Sequence, residues 1–331
     1  MKRIVSGIKP TGELTLGNYI GALKNFVKFQ NELTDAELFI FIADLHAITT
    51  PQDKLKLRKN IKSIAALYIA CGLDPNKVTL FVQSEVPQHA ELGYIMESSL
   101  YVGEMERMIQ YKEKKASQSE GIRTSLLTYP ALMAADILLY DADLVPVGED
   151  QMQHLELTRT AANRFNYLYG KTFTIPEGFS PKLGAKIMGL QNPKNKMSKS
   201  ESVSQKDYIL LQDDLKVVAN KIKSAITDSD NKIYFDKENK PGISNLLTIY
   251  SALTEEKIDS IVSRYSNSNY GEFKQDLANI VVDVLRPIQE KFEEIIKSQE
   301  LNDILDRGRD YARKIAFKKI RKVHKKVGLG R

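Results

Sequence analysis

The fold is decided by one uninterrupted apolar run, LFIFIA at residues 38–43. A strand that is buried on both faces has such a run, whereas a strand with one wet face alternates apolar and polar residues. Shorter apolar runs stand at residues 4–5 (IV), 79–82 (TLFV) and 144–147 (LVPV), and helical periodicity fills residues 54–70. Strands that alternate with helices predict an α/β fold with a doubly wound, Rossmann-like parallel sheet.

The second half of the chain predicts helices instead of strands. Helical spacing of apolar residues is found at residues 216–226, 244–254, 256–265, 273–298 and 301–327. We therefore expect a large α/β domain over residues 1–203, a smaller helical domain over residues 204–290, and helices in residues 291–331 that pack back on the large domain. Residues 110–125 are charged and poor in apolar side chains, so they are predicted to form a surface connection.

The composition is that of an ordinary globular protein. Hydrophobic residues make up 42% and charged residues 27% of the chain, and no apolar stretch approaches the roughly 20 residues of a membrane span. The N-terminus lacks the apolar core of a signal peptide, so we expect a cytoplasmic location and no membrane partner. Cys71 is the single cysteine and the four histidines show no ligand spacing, so neither a zinc site nor an iron–sulfur cluster is expected.

The charge balance leaves open whether a partner is a nucleic acid. The net charge of +6 tolerates a polyanionic partner without proving one. Residues 311–331 hold nine lysines and arginines and no acidic residue. A solvated helix face and an RNA contact explain this basic run equally well.

A short basic motif, KMSKS, occupies residues 196–200. Two lysines and two serines on one loop can wrap a triphosphate and follow its charge as pyrophosphate leaves. A basic surface loop without a function is the alternative, because a five-residue pattern can arise by chance. The motif alone does not decide between the two.

A second motif, PTGELTLGN at residues 10–18, follows the first predicted strand and leads into an apolar helix. Gly17 allows a close approach of the backbone, and the side chains of Thr15 and Asn18 can donate to a phosphate at a helix N-terminus. A simple N-cap turn is the alternative interpretation.

Together the two motifs resemble the "HIGH" and "KMSKS" signatures of the class I aminoacyl-tRNA synthetases. The first signature reads TLGN at residues 15–18, so both of its histidines are replaced, as in the tryptophan branch of that class. The pair stands in the expected order, with alternating strands and helices between its members. It is therefore far more specific than either half.

A single carboxylate on an apolar helix points to the amino acid. In TYPALMAADILLY, residues 128–140, the side chains of Tyr129, Met133 and Asp136 are spaced to share one helix face. An acidic residue there is costly unless it has a partner. Indole offers one N–H donor and no acceptor, so one acceptor oxygen among apolar groups suits tryptophan. The alternative is an aspartate that is paired with an arginine or a backbone amide.

A further motif, VPVGEDQ at residues 145–151, ends a predicted strand and opens a helix. Ligands of doubly wound sheets bind at such an edge. Gly148 would let a nucleotide approach, and Asp150 is placed to accept from a ribose hydroxyl. Residues 126–159 closely resemble the tryptophanyl-tRNA synthetases of bacterial type, whereas tyrosine enzymes usually carry a different, Ser-Asp-Gln-containing pattern.

The resemblance covers essentially the whole chain, including KPGISNLL at residues 240–247, and it implies a set of site residues. The implied tryptophan-binding residues are Val5, His46, Tyr129, Met133, Asp136, Val145, Val147 and Gln151. The implied ATP-binding residues are Lys9, Pro10, Thr11, Gly17, Asn18, Gly148, Glu149, Asp150, Ile187, Lys196, Met197, Ser198, Lys199 and Ser200. The residues expected to assist the reaction are Thr15, Asn18, Lys114, Lys196 and Lys199.

The same resemblance implies the substrates and partners. These are L-tryptophan, ATP with Mg²⁺ held by its phosphates, tRNA(Trp) and a second copy of the chain. Residues 84–125 would form a connective insertion at the dimer interface, and the helical domain would read the anticodon. Three residues depart from the family pattern. Val5 stands where many relatives have an aromatic residue, Lys9 replaces a common glutamine, and Lys186 replaces a common arginine, so the pocket floor and the phosphate contacts are expected to differ.

Two alternatives to a tryptophan-specific enzyme remain. A tyrosine-specific enzyme is disfavoured by the GEDQ sequence at residues 148–151 and by the lack of a recognisable extra C-terminal RNA-binding module. A non-catalytic relative that binds tRNA or an amino acid is disfavoured because Gly17, Asp136, Lys196 and Lys199 are all present. Amino-acid-dependent exchange between ATP and pyrophosphate separates the three.

Overall fold

The computed structural model describes residues 1–33, 35–116, 121–148, 151–179, 185–199 and 202–331, without the side chains of Lys114 and Ala116. Within these residues, five parallel strands form one sheet in the order β3-β2-β1-β4-β5. They are β1 (Lys2–Ile8), β2 (Ala36–Ile42), β3 (Val78–Val82), β4 (Leu144–Pro146) and β5 (Glu177–Phe179). The predicted α/β fold with a doubly wound parallel sheet is confirmed.

Helices cover the sheet and form the rest of the chain. The first nine are α1 (Leu16–Asn18), α2 (Lys24–Glu32), α3 (Asp44–Ala47), α4 (Lys54–Ala70), α5 (Gln88–Glu97), α6 (Val102–Glu106), α7 (Ile109–Ala116), α8 (Thr124–Leu138) and α9 (Met152–Tyr169). The others are α10 (Leu215–Lys223), α11 (Pro241–Thr254), α12 (Ile258–Arg264), α13 (Tyr270–Ile296) and α14 (Glu300–Val327). A π-helical turn, Tyr19–Leu23, joins α1 to α2. None of the described helices has the length and apolar character that crossing a membrane requires.

The central strand β1 lies between two neighbours that are far apart in the sequence. It pairs with β2 on one side, where Ile4 is opposite Leu38, and with β4 on the other, where Ile4 is opposite Leu144. The order of strands therefore reverses at β1. Loops diverge at such a point and leave a crevice at the carboxyl ends of the strands, where ligands of this fold bind.

Most strands and helices were predicted near their observed bounds, but two regions were not. The strand β5 was missed, because three residues with an exposed glutamate and glycine carry no apolar pattern. The surface connection predicted over residues 110–125 was given no secondary structure, whereas α7 covers Ile109–Ala116 and α8 begins at Thr124. The many charged residues of α7 belong to a helix whose Tyr111 is buried.

The last helix returns from the helical region to the sheet. Its apolar seam of Ala312, Ala316, Ile320 and Val323 is buried in the same hydrophobic cluster as residues of β2, β4 and α8. Gly308 lies directly against the edge strand β3, where any Cβ would overlap the carbonyl oxygen of Leu80. Helix α14 therefore covers a strand edge that would otherwise be open to other chains.

Candidate active site

A cavity of about 310 Å³ lies at the carboxyl ends of β1, β2 and β4, beside the point where the strand order reverses. Its size is at the lower end of the range of about 300–1,000 Å³ for small-molecule sites. The lining residues are Val5, Ser6, Gly7, Lys9, Phe41, Ala43, His46, Gln110, Tyr129, Met133, Asp136, Ile137, Val145, Pro146, Val147 and Gln151. All eight residues that were predicted to bind the amino acid are among them.

Asp136 is the carboxylate of this cavity, and it is 2% exposed. Three side chains donate to it: Gln83 Nε2 and His89 Nδ1 lie 2.6 Å from Oδ1, and His46 Nε2 lies 2.8 Å from Oδ2. A carboxylate can accept about four hydrogen bonds. Within the described residues, Oδ2 has one donor where Oδ1 has two, so its geometry leaves room for one donor from a ligand.

These partners keep Asp136 charged. Burial by itself raises the pKa of the carboxyl, but the hydrogen bonds and charge attraction of His46 and His89 outweigh it and lower the pKa below its ordinary value. His89 is in turn fixed by Tyr140, whose hydroxyl lies 2.7 Å from Nε2. Burial and the nearby Asp136 raise the pKa of Tyr140, so this phenol keeps its proton. Neither of the two sequence-based interpretations had foreseen partners of these kinds.

Apolar side chains form much of the remaining cavity wall. Val5, Val145 and Val147 are each at most 4% exposed. The ring of Phe41 lies over Gly7. The contact is so close that a Cβ on Gly7 would lie 2.5 Å from the Phe41 Cε2 atom. The missing side chain at Gly7 thus makes room for an aromatic ring at the cavity wall.

A second polar group surrounds Tyr129, which α8 places one helical turn before Met133. The Tyr129 hydroxyl lies 2.5 Å from His154 Nε2 and donates to Gln110 Oε1 at 3.2 Å. The ammonium of Lys9 lies 5.5 Å from the centre of the Tyr129 ring. The phenol is therefore held in one orientation, with a positive charge at its face.

The turn before α1 is a reciprocal helix cap. Asn18 N–H donates to Thr15 Oγ1 at 3.2 Å, and Thr15 N–H donates to Asn18 Oδ1 at 2.9 Å. Thr15 is 2% exposed, so its hydroxyl shapes the turn, as the simple N-cap interpretation expected. Leu16 N–H also donates to Ile209 O at 2.9 Å, which fixes the turn to a distant segment.

The two signature segments meet at Gly17. A Cβ on Gly17 would lie 3.4 Å from Met197 Cβ and 3.7 Å from Ile187 Cβ. Met197 is 2% exposed and belongs to the core, so it anchors the lysine loop to the turn. The structure thus brings together two motifs that are almost 180 residues apart in the sequence.

The two lysines of the loop are exposed, and one of them is paired. Lys199 forms an ion pair with Glu13, which stands on the first signature segment. The hydrogen bond from Lys199 to Glu13 raises the pKa of the ammonium group, so Lys199 stays charged. About half of each side chain is exposed, so this pair opens at little cost when a stronger anion arrives.

Other predicted nucleotide residues lie around the same crevice or outside the described part. Pro10 is buried and its carbonyl accepts from Asn60 Nδ2 at 3.2 Å, while Thr11 and Gly148 are exposed. Gln151 is the N-cap residue of α9, and its N–H donates to Gly148 O at 3.0 Å. Glu149, Asp150, Ser200 and the Lys114 side chain lie outside the described residues.

Comparisons with known proteins agree on one family. The family of class I tRNA synthetases for tryptophan and tyrosine matches residues 1–286. A tryptophan–tRNA ligase of Oceanobacillus iheyensis is 58% identical over 331 residues, which cover 100% of both chains. The chain belongs to the tryptophanyl-tRNA synthetases. The resemblance that the two signatures indicated is thereby confirmed.

Solved tryptophanyl-tRNA synthetases have the same fold. The crystal structure from Mycoplasma pneumoniae matches with a TM-score of 0.88 at 39% identity, and the match covers 100% of this chain and 98% of that one. The enzyme from Campylobacter jejuni, which was crystallised with ADP and tryptophan, matches with a TM-score of 0.84 at 36% identity over 99% of this chain and 100% of that one.

Several residues of this site were not predicted from the sequence. Gln83 and His89 hold Asp136 from behind, and Phe41 and Gln110 line the cavity. The available signal was the cost of a buried carboxylate, which demands several donors. It could not say which donors, because β3 and α5 bring Gln83 and His89 to Asp136 only in the folded chain.

Proposed function

We propose that the chain activates L-tryptophan with ATP and transfers it to the 3′ end of tRNA(Trp), in the cytoplasm. The observation that carries this proposal is the ionised Asp136 in an apolar cavity, with room at Oδ2 for one more donor. The indole ring has one N–H donor and no acceptor, so it satisfies this cavity without leaving a polar atom of its own unpaired.

In the first step, the tryptophan carboxylate attacks the α-phosphorus of ATP. A new oxygen–phosphorus bond forms, the bond to the β-phosphate oxygen breaks, and pyrophosphate leaves with its electron pair. In the second step, a ribose hydroxyl at the tRNA end attacks the activated carbonyl, loses its proton, and displaces AMP. The first step needs no protein nucleophile, so the chain acts by positioning and by stabilising charge.

The polar group around Tyr129 is suited to the tryptophan ammonium and carboxylate. Oxygen acceptors of Tyr129 and Gln151 would face the ammonium, while His154 holds the Tyr129 hydroxyl in place. Lys9 brings a positive charge to the mouth of the cavity, where the carboxylate must meet the α-phosphate. In this chain Lys9 would therefore assist both binding and the approach of two anions.

The Gly17 turn and the lysine loop are suited to the nucleotide. Gly17, at the helix N-terminus, would let phosphate oxygens approach backbone N–H groups, and Ile187 would lie near the nucleoside. Lys196, Lys199 and Lys114 would stabilise the charge that passes to pyrophosphate. Glu13 and Asp213 stand near Lys199. Mg²⁺ would enter the site with ATP, held by its phosphates.

We also propose that two copies form the working enzyme. Large apolar side chains are exposed along residues 94–109, where Tyr94 is 72%, Tyr101 is 66%, Val102 is 59% and Ile109 is 58% exposed. These residues lie within the predicted insertion at residues 84–125. An apolar surface of this kind marks a protein interface, and a second copy would cover it by twofold symmetry.

The helical region would read the anticodon of the tRNA. It comprises helices α10 to α13, and residues 204–290 carry more acidic than basic side chains. The positive charge for a tRNA would therefore come from the exposed lysines and arginines of α14. A tRNA backbone would bind to such a surface through its phosphates, with a strong dependence on salt. The boundary at residues 203/204 belongs to this proposal, and the expected boundary at residues 290/291 lies within the continuous helix α13.

The direct test is amino-acid-dependent exchange of labelled pyrophosphate into ATP. We expect exchange with L-tryptophan and at least about 100-fold less with L-tyrosine, because a site that is built for one donor group rejects an analogue that leaves polar groups unpaired. Exchange with tyrosine would move the chain to the tyrosine branch. Folded protein that gives no exchange with either amino acid would contradict a catalytic function.

A further inference from the structure

The lysine loop is carried by a short hairpin that spans residues 187–197. Gly189 N–H donates to Asn195 O at 2.9 Å, and Met197 N–H donates to Ile187 O at 2.9 Å. Between these bonds, Met188 and Lys196 form an antiparallel bridge. The position of Lys196 relative to the Gly17 turn is therefore set by the other arm of the hairpin.

Asn245 of α11 holds that other arm from outside at Met188, while Asp207 Oδ1 accepts from the N–H groups of Gln191 and Asn192 nearer the hairpin turn. Asn245 Oδ1 accepts from Met188 N–H at 2.8 Å, and Asn245 Nδ2 donates to Met188 O at 2.9 Å. The amide thus pairs with both backbone groups of Met188, as a neighbouring strand would. Asn245 is 4% exposed, so water does not compete for these bonds and their geometry is strict.

The start of α11 is fitted closely to this place. Gly242 lies so near the carbonyl of Ile226 that any Cβ would overlap it, and Ile226 N–H donates to Leu190 O at 2.8 Å. The close contact of Gly242 with Ile226 and the hydrogen bonds of Asn245 therefore both fix residues 188–190. This explains the physical use of the KPGISNLL sequence, which no step of the reaction requires.

We propose that Asn245 is a positioning residue for the ATP-binding loop. By fixing Met188, it sets the place of Lys196 and Met197 over Gly17, and it ties that place to the helical region, since α11 belongs to that region. A shift of α11 is then passed to the loop through the Asn245 amide, beside the contact of Gly242 with Ile226. This inference rests on the proposed role of the lysine loop in binding ATP.

The test compares Asn245→Ala with a neighbouring control. Ser244 is 1% exposed and accepts a backbone hydrogen bond from Asp236 N–H at 2.8 Å, so Ser244→Ala removes a comparable bond that does not touch the hairpin. Asn245→Ala is expected to raise the KM for ATP by about 10-fold, the worth of one to two lost hydrogen bonds. The Kd for L-tryptophan is expected to stay within about 2-fold.

The two affinities separate positioning from mere folding. Ser244→Ala is expected to lower the unfolding midpoint while both affinities stay at the wild-type values. An unchanged KM for ATP in Asn245→Ala would overturn the inference, and so would a parallel loss of ATP and tryptophan affinity. If Asn245→Ala does not fold, Asn245→Asp takes its place, because it retains the acceptor for Met188 N–H. It is judged by the same comparison of the change in the KM for ATP with the change in the Kd for tryptophan. Wild-type protein without exchange activity would overturn the proposed function instead.

Discussion

At the scale of single residues, Asp136 shows how a buried charge can be both stable and useful. Its three donors from Gln83, His46 and His89 offset the cost of burial. These donors also fix the direction in which the carboxylate accepts. A ligand that offers one further N–H group therefore meets an acceptor that needs no reorganisation, which is how a site gains specificity from a single polar contact.

The variant Asp136→Asn tests this arrangement. We expect tryptophan activation, measured as kcat/KM in pyrophosphate exchange, to fall by about 10-fold or more, because a hydrogen bond to a charged group contributes about 1.5–3 kcal/mol. Asp141→Asn is the control. Asp141 has φ of 50°, which asparagine also adopts readily, and its partner is Lys319 rather than the cavity. Equal kinetics of the wild type and Asp136→Asn would refute the role of Asp136.

Asp136 also predicts a pH dependence of stability. Its pKa is lowered in the folded chain, so the unfolded chain binds this proton more readily. The group therefore stabilises the fold above the ordinary carboxyl pKa of about 3.9, and this contribution is lost as the pH falls through the lowered pKa. In urea unfolding below about pH 4, the free energy of the wild type should fall more steeply than that of Asp136→Asn. Parallel curves would mean that Asp136 titrates normally.

The spacing of Tyr129, Met133 and Asp136 predicted correctly that one helix face would present them together, since all three line the cavity. Helical period alone decides this, so the sequence is sufficient. The depth of the cavity, in contrast, could not be predicted from the sequence. It depends on Phe41 lying over Gly7, which is a contact between two strands, and strand neighbours are not determined by local pattern.

At the scale of elements, the fit of α14 to β3 reverses an ordinary helix preference. Alanine usually stabilises a helix interior by roughly 0.5–1 kcal/mol relative to glycine. A Cβ at Gly308, however, would overlap the carbonyl of Leu80, which is backbone and cannot turn aside. We expect Gly308→Ala to lower the free energy of unfolding by about 1–3 kcal/mol, measured by urea unfolding.

Gly21 provides the control for this prediction. It lies in the helical turn Tyr19–Leu23, and a Cβ there would meet nothing within 4 Å. Gly21→Ala is expected to leave the stability unchanged or raise it slightly. If Gly308→Ala is as stable as Gly21→Ala, the contact between α14 and β3 does not form in solution.

Long elements with a clear period were predictable, and short ones were not. The helix at residues 54–70 was predicted with its observed bounds, because Asp53 caps it and an apolar stripe runs along it. The three-residue strand β5 is stabilised by pairing with β4, and its own residues carry no strand pattern. Local sequence is informative only where the element is stable through its own pattern.

At the scale of the whole molecule, the exposed apolar residues of α5 and α6 predict a dimer. Replacing Val102, which is 59% exposed, with aspartate would bury a charge in the proposed interface, and such a charge costs several kcal/mol when it is unpaired. We expect Val102→Asp to have half the mass of the wild type in sedimentation at micromolar concentration. Tyr167→Glu, at an 88% exposed position on α9, is expected to remain a dimer. Equal masses of all three would exclude this surface as the interface.

The fold class followed from the alternation of strand and helix signals, and the order of the strands did not. Nothing in the run at residues 38–43 says that β2 lies between β1 and β3, while β4 joins β1 on its other side. That order arises because each crossover must be right-handed and every helix must cover an apolar face. The position of the cavity is a property of the order, so it too required the folded chain.

The return of α14 to β3 has a consequence during protein synthesis. Strands β1, β2 and β3 leave the ribosome among the first 82 residues, but the helix that covers the edge of β3 begins only at Glu300. At a synthesis rate of about 5–20 residues per second, the edge of β3 stays exposed for on the order of ten seconds or more before α14 is made. A nascent chain stalled in this interval offers an unpaired strand to its neighbours on the same messenger RNA, so chaperone capture is needed most before the final helix emerges.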